Sequence, residues 1–504
     1  MGSKAKRREI LRLIETGEFQ LAPDAGAPID RAPDGPLDGA LLIDIDARRA
    51  RLAADPDGEL PAYRDFYKKA DLTAREVDEI LKAAHRAVGT PELFYDDIAD
   101  ALAQAPDGDA PQGKIGLGCA MKIPWLYPTR PPSAAQQEAI GRLRDEYRID
   151  PTVEINPNEH HFEVCDPAWW PLWKTHLVTM RGWPGGLAPF IEHDAARPFV
   201  YDDQRAATHV ALFADFGVGH YHSFLIAKQL EQKRYPYVFH LGDVYYAGGA
   251  EEFAYRYANV LAGVMQHSLL FSMPENHELY GGGTAWQQFI RASQPRIIQE
   301  GSYFCVRFAK HQIIGLDVNW HGRQRFAYVP CREWLEHVLE TGGGRTNILL
   351  TGSAPFRHGV RAYTELHDDL AIWHQQGKFA LWFWGDDHYC ALFQRRVGRA
   401  NFVGSCIGHG GFPGERELPV ADVMQPVDVE WLEDEPRFPR GYGLRDDLGN
   451  NGWVELALLP SGGVELLYVD WLGCKRYRIR YEPDPAAPGQ LAPAEREAFA
   501  KRVR

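Results

Sequence analysis

The sequence predicts an α/β protein whose strands begin in parallel order, and three observations carry that prediction. Short apolar runs of strand length recur after Pro198, helical segments separate the first three, and each run stops at a polar residue before a turn. An order of strand, helix, strand, helix, strand implies parallel neighbours with helices on the sheet faces, and ligands then bind at the carboxyl ends of the strands.

The runs are THVALFADF, YPYVFHLGD, SLLFSMPEN, HQIIGLDVN, TNILLTGSA and FALWFWGDD, each with the length and β-branched or aromatic content of a buried strand. HYHSFLIAKQLEQKR lies between the first two and AEEFAYRYANVLAGVMQ between the next two, both with apolar residues at helical spacing. ANFVGSCI, GWVELALL and GVELLYVDW follow without intervening helices, which predicts a second, more antiparallel sheet. The main domain is therefore expected over 200–480, after an N-terminal region 1–199 and before a C-terminal tail 481–504.

The N-terminal region reads as additional helical and irregular structure. Residues 20–60 are rich in Pro, Asp, Gly and Ala, the composition of an extended arm, and helical patterns follow between Thr73 and Gln104. The segment 113–198 is irregular and aromatic around DPAWWPLWKTH, which reads as a packing surface before it reads as a ligand platform.

The 504 residues are 45% hydrophobic, enough to build globular cores. A net charge of -14 supplies no global positive field toward nucleic acid or an anionic membrane. The seven cysteines are scattered and odd in number, which argues against a disulfide framework, and no signal-peptide-like or membrane-spanning apolar stretch is present. The expectation is a cytoplasmic protein; oligomeric state has no reading in the sequence.

The polar residues that end the runs are Asp215, Asp243, Asn276 with His277, and His388. Each alone reads first as a turn or helix-cap residue. Together, carboxylates, an amide oxygen and an imidazole at successive strand ends are the donor types that divalent ions require. The order DxG, GDxxY, NHE and GxxH resembles the calcineurin-like phosphoesterases over roughly 205–475, and Gly242-Asp243-Val244-Tyr245-Tyr246 is closest in spelling to the purple acid phosphatase branch.

That resemblance implies a four-layer metallophosphoesterase sandwich, two mixed β-sheets flanked by helices, and a metal-dependent phosphoric ester hydrolase in which a metal-bound hydroxide attacks a small phosphate ester. It places Asp215, Asp243, His388 and Tyr246 on a first ion, with Asp243 bridging to a second that Asn276 also binds. His277 matches the family's catalytic histidine, and Asn276 and His277 are the expected substrate contacts. The cofactors implied are one or two divalent or trivalent ions of Mn, Fe, Zn or Mg.

One half of the pattern departs from the family. Glu275 stands where a glycine is usual before Asn276, Gly352 and Ser353 stand where histidines are usual, and Asp386 replaces the first histidine of the last motif. Three readings follow: an oxygen-rich second site using Asp386 and Ser353, a single ion, or a weak or inactive module that keeps the fold for binding. Among other residues, His240 reads as a core histidine. His220 and His222 fall at a helix start, Gly408-His409-Gly410-Gly411 is a loop that could reach the site, and His358, Arg357 and Arg361 are secondary candidates for metal or phosphate contact.

Overall fold

The computed structural model describes residues 43–54, 131–158, 187–321, 324–356, 363–394, 401–416, 429–445 and 447–503. Its strands in chain order are β1 Ile43–Asp44, β2 Val200–Asp202, β3 Thr208–Phe213, β4 Tyr237–His240, β5 Leu269–Ser272, β6 Phe304–Arg307, β7 His311–Leu316 and β8 Thr346–Thr351. There follow β9 Leu381–Trp384, β10 Cys390–Phe393, β11 Val403–Ile407, β12 Val429–Leu432, β13 Gly452–Leu458, β14 Val464–Asp470, β15 Lys475–Pro483 and β16 Leu491–Val503. They form a sheet ordered β1-β2-β6-β7-β8-β9-β11-β10-β12 and a second ordered β16-β15-β14-β13-β3-β4-β5.

Strand alternation produces the layers. On β3, Val210 and Leu212 face a core shared with Phe304, Ile313, Leu350 and Phe383 of the other sheet. Ala211 and Phe213, pointing the opposite way, join Ile226, Leu230, Leu261 and Phe289 from the helices Tyr221–Lys233, Asn259–Met265 and Thr284–Ala292. On the far side, Leu349, Trp382 and Trp384 pack with Trp334, Leu335 and Val338 of the helix Val329–Glu340. The result is helices, sheet, sheet, helices, an α/β fold of two mixed sheets flanked by helices.

The parallel run β3-β4-β5 is where the sequence puts it, but the chain then changes sheets, so β7, β8, β9 and β11 run parallel in the other one. β13 and β14 are antiparallel as expected, yet β13 pairs directly with β3, so no separate antiparallel sheet forms. Two N- and C-terminal expectations are corrected. Residues 43–54, inside the expected arm, form β1 and the helix Ile45–Ala54, because β1 finds an edge to pair with on β2. The expected tail instead carries the end of β15 and all of β16, paired antiparallel at the edge of the second sheet. The predicted helices of 73–104 and the DPAWWPLWKTH segment lie outside the described residues.

Among the described residues no helix is long and apolar enough to cross a membrane. Cys305, Cys331, Cys390, Cys406 and Cys474 are buried free thiols.

Phe271 joins the sheets, stacking on Phe239 of its own sheet and meeting Tyr201 and Phe304 of the other. Phe271→Ala should cost about 3–5 kcal/mol, measured as a lower urea midpoint at unchanged m-value.

Candidate functional site

The carboxyl ends of β3, β4 and β5 meet those of β8 and β9 at one edge of the sandwich. The first two loops are zipped together: Asp215 N–H donates to the Gly242 carbonyl at 2.9 Å, and Tyr245 N–H to the Gly217 carbonyl at 3.0 Å. Gly217 is required here, since a Cβ would stand 2.6 Å from Val244 Cα. Asp215, Asp243 and Asp386 all adopt left-handed φ, at 54°, 76° and 65°. Non-glycine residues avoid this region, so the fold over-determines the direction of these acidic side chains.

Their side chains converge on a phenol. Tyr245 Oη lies 2.6 Å from Asp215 Oδ1, 3.2 Å from Asp243 Oδ2 and 3.0 Å from His388 Nε2. His388 Nε2 is itself 3.3 Å from Asp215 Oδ1, and its side chain is 29% exposed, so the site reaches solvent on that side. The structure thus brings Asp215, Asp243 and His388 together. The phenol at their centre belongs to Tyr245 rather than the expected Tyr246, whose ring lies under the Arg256 guanidinium, 4.9 Å from its centroid.

Burial raises the Asp215 and Asp243 carboxyls above the usual carboxylate range, reinforced at Asp215 by the charge of Asp386 and at Asp243 by the charges of Asp215 and Asp386, and burial beside them raises the Tyr245 phenol. The hydroxyl brings one hydrogen and the imidazole at most one at Nε2. With both carboxyls ionised, two hydrogens cannot serve all the contacts that join these four groups.

Among the described residues no group of three or more His, Cys, Asp and Glu side chains is placed to hold a metal ion. The phenol completes a donor set of two carboxylates, an imidazole and a phenolic oxygen. In donor type these residues suit one ion.

Glu278 builds the second layer. Its carboxylate accepts the backbone N–H groups of Val244 at 2.8 Å, Asp243 at 3.2 Å and Glu275 at 2.8 Å, tying the loop after β4 to the loop after β5. His277 N–H donates to Asp243 Oδ1 at 3.3 Å. The His277 ring packs on Tyr245, and its Nδ1 lies 2.5 Å from the Tyr246 carbonyl. A carbonyl only accepts, so Nδ1 carries the hydrogen and Nε2 is the basic nitrogen. Burial, then the neighbouring His388, holds this imidazole well below its usual pKa.

Asn276 Nδ2 donates to Tyr280 Oη at 3.0 Å. Its Oδ1 is buried and has no hydrogen-bond partner among the described residues. Asp386 N–H donates to Asp215 Oδ2 at 3.1 Å, while the Asp386 carboxylate accepts from Gln324 Nε2 at 3.2 Å.

The glycine-rich loop does reach the site. A Cβ on Gly410 would stand 2.3 Å from the Ala214 carbonyl, and one on Gly408 would stand 2.9 Å from Asp215 Oδ2. The loop delivers Phe412 onto His388, ring stacked on ring at 3.7 Å. His222 Nε2 donates to the Gly411 carbonyl, so this histidine supports the loop. His240 packs between Phe213 and Tyr257 on the helix side of its sheet. Arg357, His358 and Arg361 lie outside the described residues.

Sequence reasoning missed Tyr245, Glu278 and Phe412. Glu278 had a signal, an acid three residues after Glu275 at a helix start, the spacing of a capping box.

No family model matches the sequence, and no curated protein matches it. Among solved structures, the chain is similar to a purple acid phosphatase from yellow lupin (Lupinus luteus) seeds at 15% identity and a TM-score of 0.41, with 54% of this chain covering 53% of that one. It thus spans about half the length of that enzyme. It is also similar to GAP50, the anchor in the inner membrane complex of Plasmodium, at 13% identity and a TM-score of 0.40, covering 53% of this chain and 85% of that one. A conserved uncharacterized protein of Streptococcus pneumoniae, predicted as a phosphoesterase, aligns at 10% identity and a TM-score of 0.24, covering 58% and 98%. At such scores the weight of any functional argument rests on the geometry of the site.

Two outcomes test this geometry. Glu278→Gln replaces a carboxylate oxygen by an amide that faces a backbone N–H, so it should cost about 1–3 kcal/mol, read as a drop in Tm. His240 is held neutral by burial to about pH 3. The unfolded chain protonates it below about 6.5, so its contribution to stability is complete above that pH and is lost as pH falls toward 3. His240→Phe should therefore flatten the acid limb of stability against pH by about 1.4 kcal/mol per pH unit, measured by urea unfolding between pH 6.5 and 4.

Proposed function

We propose that this chain is a metal-dependent phosphoesterase of the calcineurin-like type, acting on a small phosphate ester. The observation that carries the reading is the meeting of Asp215, Asp243 and His388 on the Tyr245 hydroxyl at the carboxyl ends of strands from both sheets. Asp215, Asp243, Tyr245 and His388 would hold the ion; Mn, Fe, Zn and Mg all accept donors of this kind. When bound, the ion would supply positive charge to a phosphoryl group and acidify water.

The chain's own residues supply the rest. Glu278 and the left-handed turns hold the two aspartates in one orientation, which spares the site reorganisation during reaction. Asn276, with Nδ2 engaged by Tyr280 and Oδ1 unpartnered among the described residues, is positioned to orient substrate or water. His277 enters neutral with its hydrogen on Nδ1, so it would accept a hydrogen bond or a proton at Nε2 rather than deliver one to the leaving group. Phe412 and Tyr245 wall the site with aromatic surface and limit the motion of His388.

The experiment is metal analysis of the purified chain with assays on aryl phosphate monoesters and diesters under Mn²⁺, Mg²⁺, Zn²⁺ or Fe²⁺. Loss of a partner that merely orients a ligand costs 10–100-fold, so Asp243→Asn, which alters a ligand itself, should lower kcat/KM by more than about a hundredfold and release the bound ion. Turnover that survives both chelation and Asp243→Asn would overturn the reading; an ion bound without turnover would leave a binding module.

A further inference from the structure

We propose that Glu275 plugs the place a second ion would take, so that this chain holds one ion and not two. The inference rests on the reading above, and the arrangement around Glu275 carries it. Beside Asp243 and Asn276 the space facing Gly352, Ser353 and Asp386 is filled from within the protein. The Glu275 side chain runs between two glycines. A Cβ on Gly242 would stand 2.5 Å from Glu275 Cβ, and a Cβ on Gly352 would stand 2.3 Å from Glu275 Oε2. A side chain at 352 would displace this carboxylate from its present place, so the position of the charge at 275 depends on the missing side chain at 352.

The polarity of the surroundings is also wrong for a cation. Ser353 Oγ donates to Glu275 Oε1 at 2.5 Å, and Asn319 Nδ2 donates to Glu275 Oε2. The Asn319 amide cannot be turned to present oxygen instead, because its Oδ1 accepts the Gln324 backbone N–H at 2.9 Å. Asn319 is fixed in turn by Asp317, whose Oδ1 accepts the N–H groups of Asn319 and Trp320, both at 2.9 Å. From the same loop, Gln324 Nε2 donates to Asp386 at 3.2 Å. Hydroxyl and amide hydrogens thus occupy the carboxylate lone pairs that an ion would need, and imidazoles are replaced by donors. The first position, by contrast, gathers lone pairs on Tyr245.

The test is saturation of the metal-free full chain with Mn²⁺, read by bound metal per chain and by electron paramagnetic resonance. Wild type should bind one ion per chain with the spectrum of an isolated Mn²⁺, and Glu275→Gln, which keeps the volume and the fold, should do the same. Glu275→Gly combined with Gly352→His should raise the stoichiometry to two with the spectrum of a coupled pair. Two ions in wild type would overturn the inference, as would one ion in a double variant that keeps wild-type circular dichroism. No ion in wild type would overturn the functional reading itself, a failure distinguishable from the other two.

Discussion

Two carboxylates held side by side out of water is the constraint on which the rest of the site depends. Asp215 and Asp243 repel each other, and burial removes the solvent that would otherwise screen them. Left alone, such a pair would turn outward or hold a proton. The fold prevents the first by strain and hydrogen bonding: left-handed backbone at both positions, the Glu278 carboxylate gripping three N–H groups, and a glycine-rich loop packed against the end of Asp215. What it leaves is a pair that must hold a proton or a cation, and that is the basis for expecting an ion at the Tyr245 oxygen.

The architecture explains why the charge can be concentrated at this edge. Each sheet contributes strand ends, with three apolar layers behind them, which adds to the polar ties of the edge itself. Phe412 shows how distant chain segments are recruited: the loop after β11 is required by its glycines to run against Ala214 and Phe216, and that path lays an aromatic ring on His388.

Much of this was legible in the sequence. Asp215, Asp243, Asn276 and His388 stood out because each ends an apolar run, and the alternation that buries β3 and β4 made their strands readable. Tyr245 was not legible, because motif spacing counts residues whereas a turn decides which of two adjacent tyrosines faces inward. Glu275 looked like an intruding charge until the glycines at 242 and 352 were seen on either side of it, a relation between residues far apart in sequence. β16 was missed because LAPAEREAFAKRV has no strand-like composition; its pairing with an existing edge, a tertiary effect, decides its conformation.

The departures from a two-ion site therefore need not mean decay. Glu275, Gly352, Ser353 and Asn319 form a mutually satisfied set with room and hydrogen bonds matched, while the Tyr245 side keeps the donors an ion requires. The most direct test is anomalous diffraction at the manganese edge from crystals of the full chain soaked in Mn²⁺. The account predicts one peak, within bonding distance of Tyr245 Oη, Asp215, Asp243 and His388. No peak at that point, or a second beside Asn276 and Glu275, would contradict it.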